Sequence, residues 1–572
     1  MISKQNISTD SVTFEIQING QKIENAYQVK TIGITKTANR ISAARLILYD
    51  GEDTEDGFKI SNSKDFLPGN KIVVLAGYNS DNSSIFKGIV IKQGLKRTVG
   101  RFELCIDCKH VATAMTINLN SQYFYNIKDS GIIEEITQSY GITTEATPTK
   151  VTHKEMVQYQ VTDWEFMVMR AQFNGQLVFS EADKVSVNFP DFKQEPALIL
   201  NPESILDIEL EMDARYQLSA VSAHAWNPAD QTVSQAESDD PKINEQGNLS
   251  AVKLAKNLNH DEFKLAHNGA VKDLELQVWA DSKLLKSRLA KIRGRVKIQG
   301  NAAIALGSLL KLEGIGDRFD GPVYITGIRH QINAGNWETD LQFGLSPEWF
   351  QVQETKQTTL VPSVSGLQTG IVVQLKDDPE GEGRILVRSP LISEHEDGIW
   401  ARVNCLDAGA NRGAFFRPEI DDEVLLGFID DDPRHPVVIG MLNSSAKPAP
   451  LQATDENPEK GFVTKSGLEL LFDDELKQMT LKTPAGNSII ISEASESILI
   501  EDSHTNKIEM TADGISIESA GDFNLKAQGD INIEGTNISQ NAKAEFKAEG
   551  GAGAELSTGA IAVLKGSIVQ IN

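Results

Sequence analysis

Ser497-Ile-Leu-Ile-Glu501, Lys507-Ile-Glu-Met-Thr511, Gly514-Ile-Ser-Ile-Glu518, Asp522-Phe-Asn-Leu-Lys526 and Asp530-Ile-Asn-Ile-Glu534 repeat one short pattern. Each carries two apolar residues separated by one position, as in a strand with one apolar face. Asp513-Gly514, Gly521-Asp522 and Gly529-Asp530 supply turn residues between them. A repeat this small cannot bury its own apolar face, so stacking has to supply the core. Two inward residues per strand are too few for a single chain to close a solid β-helix. Several chains wrapping together give the missing layer and remove the exposed strand edges. The pattern therefore predicts a rigid needle built by a homo-oligomer. Its core is expected at Ile498, Ile500, Ile508, Met510, Ile515, Ile517, Phe523, Leu525, Ile531 and Ile533.

The rest of the chain is less repetitive. Its 572 residues suffice for several domains, each with its own core. A net charge of −25 argues against a nucleic-acid partner, which needs a basic stripe. It also keeps an extended assembly from associating side to side. The opening Met1-Ile-Ser-Lys-Gln-Asn-Ile-Ser8 has no apolar core segment of a signal peptide, and three cysteines suit a reducing compartment. Synthesis and folding in the cytoplasm are expected, with outward delivery by other means.

Strand-like runs dominate residues 1–350, including Ser11–Asn19, Arg45–Tyr49, Lys71–Gly77, Gly88–Lys92 and Val323–Ile332. Helices are expected over Ser130–Tyr140, with Gly141 as its stop, from the capping sequence Thr162-Asp-Trp-Glu165 onward, and over Asp281–Ile292. Ser234–Ser250 reads as an exposed loop, 351–366 as a linker, 367–446 as a small closed barrel of five strands, 447–462 as a second linker and 463–572 as the needle.

The barrel segment quotes a family. Gly383-Arg-Ile-Leu-Val-Arg-Ser-Pro390, Trp400-Ala-Arg-Val403, Asp422-Glu-Val424 and Asp432-Pro-Arg-His-Pro-Val-Val-Ile-Gly440 resemble the OB-fold module of the VgrG/phage tail-spike family, the central spike of contractile injection machines. Lys465-Ser-Gly467 through Thr483-Pro-Ala-Gly-Asn487 is similar to that family's entry into its triple-stranded β-helix, and Gln158-Tyr159 with Asp163-Trp-Glu-Phe166 to its hub helix. The resemblance implies a mainly β homotrimer: a hub of two barrel domains per subunit, an OB collar and an intertwined needle. It implies docking on a hexameric, Hcp-like inner tube, baseplate neighbours, transient contact with a target membrane, and a PAAR-type tip protein seated on Ile568, Val569, Gln570, Ile571 and Asn572. Asp421 and Asp430-Asp431 stand where the family has glycine-containing turns, and aspartate tolerates the left-handed conformation those turns need.

No constellation for catalysis, cofactor or metal stands out. Cys105-Ile-Asp-Cys108-Lys-His110 lacks a second ligand pair, and its cysteines point to opposite faces of a strand. His395-Glu396 has Ile399 where a zincin needs its second histidine. Asp430–Asp432 and Asp421–Glu423 read as solvated loop tips. The expected function is mechanical: a spike of a type VI secretion system or extracellular phage-tail-like particle. The alternative is a spike that degrades cell wall, as a lysozyme or polysaccharide hydrolase.

Overall fold

Thr162 closes a strand and opens a helix: its hydroxyl accepts the Glu165 N–H at 3.2 Å, satisfying one of the helix's orphan donors. The computed structural model describes residues 10–24, 26–51, 57–98, 100–243, 246–346 and 360–571. The helix runs Asp163–Phe173 and packs against a second, Asp129–Ser139, which Gly141 ends at φ +66°. Ile132, Ile133, Phe166 and Val168 share one core, where Phe124 and Phe166 stack at 5.9 Å. The third long helix runs Asp273–Leu289 rather than Asp281–Ile292. Lys272 offers its start no side-chain cap, so the usual signal is missing; Asp273 and Glu275 complement the N-terminal dipole instead. Ile292 belongs to the following strand.

The chain divides into two compact units, Met1–Asn443 and Ser444–Asn572. In the first, a 13-stranded sheet joins strands from the two ends of the hub. Val29–Thr37 pairs antiparallel with Gly321–Asn333, His330 lying opposite Ile34. One half of the sheet covers a core around Ile32, Leu46, Val74 and Leu104; the other covers Val296, Leu310, Ile325 and Leu341. The Ser234–Ser250 stretch is not wholly loop, since Thr232–Glu237 pairs with Ala220–Asn227 and Gln246 is buried.

Five strands close a barrel in the order Gln368–Gln374, Ile385–Arg388, Ile399–Val403, Pro436–Met441 and Glu423–Phe428. Val372, Val387, Ala401 and Val424 fill it, and Tyr123 and Val157 of the hub pack into the same core. Asp421, Asp430 and Asp431 all adopt positive φ, at 70°, 55° and 58°, so aspartate does carry these turns.

Two expected boundaries shift. Residues 351–359 of the first linker lie outside the described residues, but Leu360 and Val361 are buried in hub cores, and Val364, also buried, donates its N–H to the Asp431 carbonyl of the barrel at 2.8 Å. Their apolar side chains gain more from that burial than a solvated linker would. The second linker ends early, because Glu459–Val463 is already a strand. In the second unit this strand begins a seven-stranded antiparallel meander that ends at Gly514–Glu518. From 519 to 571 no strand is assigned, although Phe523/Leu525 and Ile531/Ile533 keep the alternating pattern. A strand needs a ladder partner, and the single chain gives these segments none.

Candidate functional site: an apolar sheet face

Cross-strand register turns the alternating pattern into two continuous rows. Phe462, Leu470, Leu481, Ile489, Ile500, Ile508 and Ile517 lie opposite one another in successive strands. Beside them run Phe472, Met479, Ile491, Ile498, Met510 and Ile515. Residues two apart point to the same side of a sheet, so both rows share one face. That face is open: Ile489 is 39% exposed, Ile517 55% and Ile515 69%. A groove of about 820 Å³ follows the first row past Leu481, Ile489, Ile500, Ile508 and Ile517 to Phe523.

Six of the expected needle-core residues, Ile498, Ile500, Ile508, Met510, Ile515 and Ile517, therefore sit together on this face. The other four, Phe523, Leu525, Ile531 and Ile533, are 48–64% exposed in the segment without strands. Ile568, Val569 and Ile571 of the expected tip platform are exposed too, Gln570 lies between them, and Asn572 lies outside the described residues. Sequence reading missed the four upstream strands as parts of the rows. Leu470/Phe472, Met479/Leu481 and Ile489/Ile491 carry the same alternating signal, with turns at Gly467 and Gly486.

Contiguous apolar area of this size is rare on a monomeric surface, because each large side chain forgoes about 1.5–3 kcal/mol by staying in water. The chemistry it offers is burial against a like surface. The cysteine motif offers something plainer. His110 accepts the Ala112 N–H at 3.2 Å and caps a short 3-10 turn, while burial pushes the Cys108 thiol up to about 12.

Comparison with known proteins places this architecture. The profile of a family described as the Alg8 N-terminal domain matches residues 8–334. That described as the type VI secretion system/phage-baseplate injector OB domain matches 368–442, the closed barrel. The type VI secretion system spike protein VgrG1b of Pseudomonas aeruginosa is 26% identical over 236 residues, 37% of this chain and 31% of the relative. VgrG1a of the same organism is 29% identical over 119 residues, 19% and 18% respectively. The chain thus spans less than a third of the length of these curated relatives. Among solved structures, the lidded Francisella PdpA-VgrG complex matches with a TM-score of 0.54 at 10% identity, over 86% of this chain and 80% of that one. The lidless PdpA-VgrG complex gives 0.51 at 10% identity, over 89% and 98%.

Proposed function

The chain belongs to the family of the Alg8 N-terminal domain and has the fold of a VgrG-like spike, and on that premise we propose that three copies form the spike and hub of a contractile injection system. The observation that carries this reading is the pair of open apolar rows on the C-terminal sheet. Three such faces turned toward one axis would bury both rows in a shared core. The strandless segment after 518 would then gain its ladder partners from neighbouring copies, completing the needle.

In this reading the hub docks on a hexameric, Hcp-like inner tube beside baseplate proteins. The needle's far end, at Ile568–Asn572, receives a PAAR-type tip, and the assembled particle breaches a target envelope by force rather than by catalysis. The domain roles follow: 1–350 hub, 367–446 collar, 463–572 needle. Light scattering on the purified chain tests the assembly. A mass near three times 62.6 kDa is expected; a monomer at micromolar concentration would overturn it. A peptidoglycan-release assay tests the mechanical reading, for which no released fragments are expected.

A further inference from the structure

Where the barrel meets the hub, a buried group of charged side chains serves none of these roles. The Arg434 guanidinium donates to Glu275 Oε1 at 2.6 Å and to Asp432 Oδ2 at 2.8 Å. Glu275 stands in the first turn of the helix Asp273–Leu289, whereas Asp432 and Arg434 belong to the turn between the last two barrel strands. Beside them lies His267, the last residue of the strand Glu262–His267, with its side chain 2% exposed. His435 completes the group, its ring centroid 5.3 Å from that of His267.

Two facts set this group apart from an ordinary ion-pair network. First, His267 Nε2 is buried without a hydrogen-bond partner, although it is aimed at Asp432 Oδ2 from 3.4 Å. That gap is long for a hydrogen bond. It is the separation of about 3.4 Å expected between two ligand atoms that each sit about 2.0–2.1 Å from one tetrahedral zinc ion. Second, one donor atom each from His267, Asp432 and His435 all fall within 4.8 Å of one another.

The surroundings suit a ligand role. His267 Nδ1 accepts the Gly269 N–H at 2.9 Å and lies 3.3 Å from the Gly269 carbonyl oxygen; binding an ion through Nε2 would put the ring proton on Nδ1, with that carbonyl as its acceptor. Gly269 fits between the two rings only because it lacks a Cβ, which would lie 2.6 Å from His435 Cδ2 and 2.8 Å from His267 Cε1. The Asp430 carboxylate accepts from both the backbone and the side-chain nitrogen of Asn268, at 2.7 and 2.8 Å, pinning this loop to the barrel. Asp432 meets Arg434 through both oxygens, and Oδ2, which accepts Nη2 at 2.8 Å and Nε at 3.2 Å, is also the oxygen 3.4 Å from His267 Nε2.

We propose that His267, Asp432 and His435 form a site for a divalent transition-metal ion, zinc by ligand type, that fastens the barrel to the hub. Two imidazoles and a carboxylate select such an ion over magnesium or calcium, which prefer all-oxygen shells. The site departs from the metal-free expectation of the sequence because its ligands come from segments far apart in the chain.

The probe is cobalt(II), whose ligand-field absorption in the visible reports low-symmetry four-coordination. The tag-free, full-length chain is stripped with a chelator, dialysed and titrated with cobalt, then with zinc. One cobalt per chain is expected, with an intense visible band that zinc abolishes. His267→Gln and His435→Gln should each weaken cobalt binding at least tenfold, while a control variant at the exposed His504 leaves it unchanged. Absence of the band in the folded wild-type chain would overturn the site, and so would a band that persists in both histidine variants. Because the wild-type titration is decisive alone, a variant that fails to fold does not blunt the test.

Discussion

The Tyr125 hydroxyl donates to the Gly398 carbonyl at 3.0 Å and accepts the Gly398 N–H at 3.1 Å, so one hub side chain satisfies both backbone groups of one barrel residue. Gly398 is buried at φ +100°, and a Cβ there would lie 2.2 Å from the Val387 carbonyl oxygen. Tyr125→Phe strands two buried polar groups and should cost about 1–3 kcal/mol for each group left unpaired. Urea unfolding of the first unit measures it. Gly398→Ala should destabilise at least as much, since the clash is with backbone and cannot be relieved by a rotamer change.

A second lock lies deeper. Arg170 donates to Asp129 through Nε at 2.7 Å and Nη2 at 2.9 Å, and through Nη1 to the Leu360 carbonyl at 2.5 Å. Burial pushes the Asp129 carboxyl up, but the Arg170 guanidinium and His153 outweigh it and hold that carboxyl well below the usual range. Arg170→Met should cost about 3–5 kcal/mol by taking the guanidinium from the buried Asp129 and leaving it only His153 and Asn174. It should also free residues 360–364, which limited proteolysis followed by mass spectrometry would detect as a new cleavage site.

Stability should also depend on pH through Glu155. Burial against the barrel raises its carboxyl from 4.5 to about 7, with Arg384 opposing the shift. Between those values the folded chain holds a proton that the unfolded chain has lost. Glu155 therefore withdraws stability as pH rises from 4.5 to 7. Glu155→Gln should flatten that part of the melting-temperature profile and raise the melting temperature most above pH 7. A parallel downward slope in the variant would show that other groups set it.

The proposed needle core gives the sharpest test of assembly. If the proposed trimer buries them, Ile531→Asp together with Ile533→Asp should abolish it, because each unpaired charge taken into a core costs several kcal/mol. Light scattering that still returns three chains would exclude both positions from the buried face. Ile500→Asp, in the middle of the first row, should act in the same direction.

What the sequence displays best is periodicity over short distances. Ile498/Ile500 and its repeats announce a sheet face, and Thr162 with Glu165 marks a helix start within a residue. The barrel was legible for the same reason, each strand being bounded by glycine, proline or aspartate. Less local features stayed hidden. The helix at Asp273 opens without a side-chain cap, so only its packing declares it. Leu360 and Val361 look like linker residues until the hub supplies the surface that buries them. His267 and Asp432 carry no shared motif, because what joins them is the docking of a hub loop on a barrel turn.

The two apolar rows also impose parity on the sequence. Six of the seven strands of the meander present an apolar pair to the same side, and the first adds Phe462, only because the count of residues between turns keeps one phase. Gaining or losing two residues inside a strand leaves that phase intact; gaining or losing one turns the remaining side chains over. The C-terminal unit can therefore lengthen or shorten over evolutionary time by whole hairpins or by even steps, while odd steps are closed to it. Divergence in this region should leave side-chain identity free and the even–odd rhythm fixed.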